Sequence, residues 1–244
     1  MSWLPDLPGL SILALGFLLG ARHALDADHV VAISTIATEN RSLWRSCAIG
    51  FCWGVGHTMV LLIAGLAVLG FRLTISEDWA KLFEAGVGVM LIGLGLSVGL
   101  TLWRERLHVH AHTHSDGTGH LHMHSHRDGL HHAHLHRFRL EYKALAIGMV
   151  HGLAGSAAVL LLILSTIHSF TDGLVYLLVF GVGSIAGMVL LGAVLCVPFA
   201  LTSEHLVRTH LALQVLAGLA SVALGSGILY EFISTVSMPL TRIH

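Results

Sequence analysis

"GARHALDADH", residues 20–29, decides how this chain is read. It lies within an apolar run from Leu10 to Ile36, yet Arg22, His23, Asp26, Asp28 and His29 all fall inside eight residues of it. On insertion scales a charged residue at the centre of a bilayer costs about 2.5–3.5 kcal/mol. Five ionisable groups in one span therefore need an offset, which mutual pairing or a visiting cation supplies.

The surroundings of that stretch are those of an integral membrane protein. Of 244 residues, 55% are hydrophobic, only 11% are charged and 27 are glycine, a composition foreign to water-soluble domains. A span needs roughly 20 mostly apolar residues to cross a hydrocarbon core about 30 Å thick. Six stretches qualify, near 9–37, 47–70, 82–103, 143–167, 173–201 and 211–233. The first is too long and too charged for a cleaved signal peptide, so it is expected to stay in the mature protein. A net charge of −1 without a basic face excludes a nucleic-acid role. Cys47, Cys52 and Cys196 lack paired ligand spacing and read as small buried hydrophobes without a disulfide.

Six spans put both termini on one side, and the Lys/Arg bias chooses which. Arg41, Arg45, Arg104, Arg106, Arg127, Arg137, Arg139, Lys143 and Arg208 follow the odd-numbered spans, whereas only Arg72, Lys81 and Arg242 lie opposite. The expected orientation puts the termini outside and the 104–141 loop in the cytoplasm of a multi-pass cell-membrane protein. Twelve histidines fall between 108 and 136, many as His-x-His broken by Gly, Ser and Asp. This composition predicts a disordered, metal-binding segment, where a cytoplasmic metallochaperone is an expected partner.

The two halves resemble each other at a spacing of about 127–130 residues. Gly20, His23, Leu25 and Asp28 align with Gly148, His151, Leu153 and Ser156; "WGVGH" at 53–57 aligns with "FGVGS" at 180–184; Gly88 and Gly95 align with Gly218 and Gly225. Three spans per copy is an odd number, so the second copy enters from the opposite face, as in many secondary transporters. The expected fold is an all-α membrane protein of about six helices in two inverted repeats. Its parts are residues 1–103 with the polar signature, the loop 104–141, and the second repeat 142–244.

Imidazole and carboxylate together suit Ni, Co, Zn or Fe. At about 100° per residue, His23, Asp26 and His29 lie within one arc of roughly 120°, but Asp28 points away. Either the helix unwinds at the site or Asp28 orients an imidazole. Arg22 reads as a carboxylate partner or interfacial anchor. His57 in "GVGHTMV" and His151 in "GMVHGLAGS" are further intramembrane ligand candidates, with the Thr58 and Ser156 hydroxyls weaker ones.

These residues resemble a known family. "RHALDADH" contains His-x4-Asp-His as His23, Asp28 and His29, and is similar to the signature helix of the nickel/cobalt transporter (NiCoT) family; "GVGHTMV" resembles that family's second signature. The resemblance implies a permease for Ni²⁺ or Co²⁺, with the His-x4-Asp-His residues essential and His57 assisting. Typical members have eight spans with the signature in the second. The six spans here, and "HGLAGSAAV" at 151–159, are more similar to short bacterial homologues associated with urease accessory genes.

The expected function is thus divalent transition-metal transport, uptake favoured over efflux, with the ion as cargo and no fixed cofactor. No Gly-x4-Gly-Lys-Ser/Thr loop is present to supply an ATPase. A haem-binding carrier leaves the carboxylates and the histidine loop unexplained, and a membrane metalloenzyme lacks His-Glu-x-x-His. A metal sensor or nickel-enzyme assembly factor would bind without transport. Because imidazoles must be neutral to bind metal, uptake is expected to fall as external pH drops below about 6.5; flux unchanged at pH 5 contradicts this.

Overall fold

A computed structural model of the chain describes residues 7–38, 42–71, 76–104, 110–113, 119–122, 139–152, 169–202 and 207–237. Their helices are α1 (Leu7–His23), α2 (Ala27–Ala37), α3 (Leu43–Phe71), α4 (Glu77–Arg104), α5 (Arg139–His151), α6 (Phe170–Thr202) and α7 (Val207–Ser237). Four of them, α3, α4, α6 and α7, are long and apolar enough to cross a membrane. Large apolar side chains such as Leu18, Ile63, Leu190 and Leu219 stay exposed on their outer faces, as a lipid-facing surface requires.

Two expected spans differ from single helices. The stretch 9–37 is α1 and α2, separated at residues 24–26. There the Leu25 and Asp26 N–H groups donate to the Arg22 and His23 carbonyls in tight turns, and Asp26 is extended (φ −61°, ψ 146°) ahead of α2. The break ends α1 at His23, so that its C-terminal end, which favours cations, lies beside the site, and it puts Asp28 in the first turn of α2, where a helix favours anions. The stretch 143–167 begins as α5 and reaches a turn at Gly152; residues 153–168 lie outside the described residues.

The histidine loop departs from the expected disorder over eight residues. β1 (His110–Thr113) and β2 (Gly119–His122) pair antiparallel, with His110 opposite His122 and His112 opposite His120. Alternating His-x-His is also a strand period.

Packing is governed by glycine. Helix α3 lies against α5 and α6, α1 against α6, and α4 against α7; α2 touches α4, α6 and α7. A Cβ on Gly20 would run into the Phe180 carbonyl, one on Gly148 into that of Trp53, one on Gly183 into that of Phe17 and one on Gly56 into that of Leu145. Between α4 and α7, Gly88 faces Gly225 and Gly95 faces Gly218. Small residues are what let membrane helices approach this closely. The apolar core beneath the break includes Ile33, Trp53, Leu91 and Met188.

Candidate metal centre

Four histidines from four helices meet inside the bundle. His23 ends α1, His29 lies in α2, His57 in α3, and His151 ends α5; their residue exposures are 6%, 0%, 0% and 0%. The centroid of the His29 ring lies 4.6 Å from that of His23, 5.3 Å from His57 and 4.0 Å from His151.

Carboxylates set which nitrogens remain free. His23 Nδ1 is 2.9 Å from Asp26 Oδ2, and His29 Nδ1 is 3.1 Å from Asp28 Oδ1. The second oxygen of Asp28 lies 2.8 Å from His151 Nε2, and Oδ1 also accepts from the His29 backbone N–H. A neutral imidazole carries one N–H and one lone pair. With each N–H donated to a carboxylate, the lone pairs of His23 and His29 sit on Nε2, and that of His151 sits on Nδ1. The His23–His57 contact, Nε2 to Nε2 at 2.9 Å, then has His57 donating and its lone pair on Nδ1. His29 Nε2, His57 Nδ1 and His151 Nδ1 are buried without hydrogen-bond partners among the described residues. A buried polar atom left unsatisfied is costly, and imidazole lone pairs backed by carboxylates are the usual metal-ligating arrangement.

Two donor triads result: His23, His29 and His57, and Asp28, His29 and His151, with ligand atoms within 4.8 Å of one another in each. Ligands around a tetrahedral ion at about 2.0–2.1 Å stand roughly 3.3 Å apart, so modest contraction of either triad would accommodate a first-row divalent ion.

All six predicted site residues lie together, in unequal roles. Asp26 contacts His23 and is half-exposed. Asp28, which an unbroken helix would turn away, reaches both His29 and His151 because the chain breaks at 24–26. Arg22 is exposed at the end of α1. Thr58 donates to the Gly181 carbonyl at 3.4 Å and belongs to helix packing; Ser156 lies outside the described residues. Sequence reasoning passed over Ser184, fully buried on α6 with an Oγ unpartnered among the described residues, although the repeat aligns it with His57. It also passed over the aromatic walls: the Trp53 ring lies 5.7 Å from His151, and the Phe180 ring 5.8 Å from His23.

Comparison with known proteins agrees with this chemistry. Residues 9–229 match the family model NicO, described as "High-affinity nickel-transport protein". The chain is 39% identical over 222 residues to "Urease accessory protein UreH" of Bacillus sp. (strain TB-90), covering 91% of this chain and 92% of that protein. It is 32% identical over 83 residues to a "High-affinity nickel transport protein" of Cupriavidus necator, covering 34% of this chain and 23% of that one. Identity to "Chloroplast protein FOR GROWTH AND FERTILITY 1" of Arabidopsis thaliana is 25% over 218 residues, covering 87% and 57%. No solved structure matches. The chain belongs to the NicO family of high-affinity nickel-transport proteins.

Proposed function

We propose that this membrane transporter carries Ni²⁺ or Co²⁺ inward, and that His23, His29 and His57 receive the ion, while Asp26 and Asp28 orient the imidazoles and His151 completes the centre. The carrying observation is the convergence of buried imidazoles from four helices, three with ring nitrogens unpartnered among the described residues and three backed by carboxylates. A binding-only assembly factor has no need to bury its ligands at the meeting point of a membrane bundle. Inward movement needs no ATPase in this chain, since about 2.3 kcal/mol per charge per 100 mV gives roughly 4.6 kcal/mol for a divalent ion.

The inverted-repeat plan is part of the same proposal, with α1 and α2 together forming the first span and α5 opening the fourth. Reciprocal contacts support it. Gly20 on Phe180 and Gly148 on Trp53 are the same contact seen from the two halves, as are Gly183 on Phe17 and Gly56 on Leu145. Phe180 stands beside His23 as Trp53 stands beside His151, and both α1 and α5 end on their histidine. In the proposed orientation the termini face outward and the histidine loop faces the cytoplasm, able to pass ions to a metallochaperone.

Reconstitution in liposomes with a metal-sensitive dye tests the function. Ni²⁺ or Co²⁺ is expected to enter faster than Zn²⁺ or Fe²⁺, driven by an inside-negative potential, and deletion of 108–136 is expected to change only rate or apparent affinity. Binding without flux would favour the assembly-factor reading. Asp26→Asn removes the charge that holds His23 in register; it is expected to weaken Ni²⁺ binding by about 10–100-fold, measured by equilibrium dialysis of the purified protein.

A further inference from the structure

We propose that the centre gives the ion two overlapping positions that share His29, and that Asp28 orients His29 in the first and becomes a ligand in the second. This rests on the permease reading above. The first position is the all-imidazole triad His23, His29 and His57; the second is Asp28, His29 and His151. His29 stands between them, with Nδ1 beside Asp28, Nε2 without a partner among the described residues, and its ring close to those of His23 and His151.

The two triads differ in chemistry. Three neutral nitrogens leave the ion its full double charge, whereas a carboxylate neutralises half of it. Conduction needs binding good enough to admit an ion and a second place weak or near enough to release it to. Here a step exchanges His23 and His57 for Asp28 and His151 while His29 holds on, so the ion never stands bare in a low-dielectric interior. A shared ligand and the repulsion of two dications a few ångström apart make the positions mutually exclusive.

The test is Co²⁺ titration of the purified full chain, with metal content from dialysis and imidazole count from X-ray absorption. Wild type is expected to bind one Co²⁺. His151→Ala is expected to keep one Co²⁺ with three imidazoles, and His57→Ala to keep one with two imidazoles and a carboxylate, each at least about 10-fold weaker and without flux. His29→Ala is expected to bind none. Glutamine replacements at 57 and 151 serve where an alanine variant is not monodisperse.

The proposal is overturned if either variant at 57 or 151 loses all binding while folded, if both give the same ligand count, or if wild type holds two ions at once. Wild-type flux measured alongside separates the two readings. Intact flux with any of those results removes the two-position proposal alone; wild type that neither binds nor moves Co²⁺ removes the permease reading with it.

Discussion

His23→Ala is expected to bring Ni²⁺ flux in proteoliposomes down to the protein-free background, a loss of about 100-fold or more. Removing a partner that only orients a ligand costs about 10–100-fold, and this substitution does more. His23 meets His57 through Nε2 and Asp26 through Nδ1, so its loss deletes a donor, leaves the buried His57 N–H without an acceptor, and frees Asp26 from the turn. Far-ultraviolet circular dichroism should remain helical. Flux at more than a tenth of wild type in a folded His23→Ala protein would remove the imidazole triad from the ion's path.

The largest stability effect is expected from a single methyl group. Gly20→Ala and Gly148→Ala each push a Cβ into a backbone carbonyl of the facing helix, Phe180 and Trp53 respectively. Overpacking typically costs about 1–3 kcal/mol where side chains can give way, and backbone cannot. Each substitution should therefore cost about 3 kcal/mol or more and lower the thermal midpoint by many degrees. Gly93→Ala and Gly99→Ala are the controls: nothing lies within 4 Å of a Cβ there, and alanine favours the helix by about 0.8–1 kcal/mol. Equal midpoints for Gly20→Ala and Gly93→Ala would contradict the close approach of α1 and α6.

Much of the centre was legible in the sequence because the membrane makes polar residues conspicuous. His23, His29, His57 and His151 stand out in runs of Leu, Gly and Val, where a lone histidine reads as an inter-helix hydrogen bonder but four together with carboxylates read as ligands. The chain break was legible as a conflict of angles at Asp28 but not in its resolution, which depends on tight turns at Leu25 and Asp26 that leave no mark in composition. Ser184 and Trp53 were passed over because a hydroxyl or an indole in an apolar helix is ordinary, and only alignment of the halves pairs Ser184 with His57. The pairing of β1 with β2 was hidden by a composition that reads as disorder, although its period of two was on view.

The shortness of α2 has a mechanical meaning. At its far end Thr35 donates to the Ala217 carbonyl at 3.4 Å, and Gln214 donates to that of Thr38 at 3.3 Å, so α2 is tied to α7 while its first turn carries Asp28 and His29. An 11-residue helix is about 16 Å long, and a swing of about 10° about that tether moves its other end by roughly 3 Å. The tether on α7 thus fixes the far end of the lever whose near end carries Asp28 and His29.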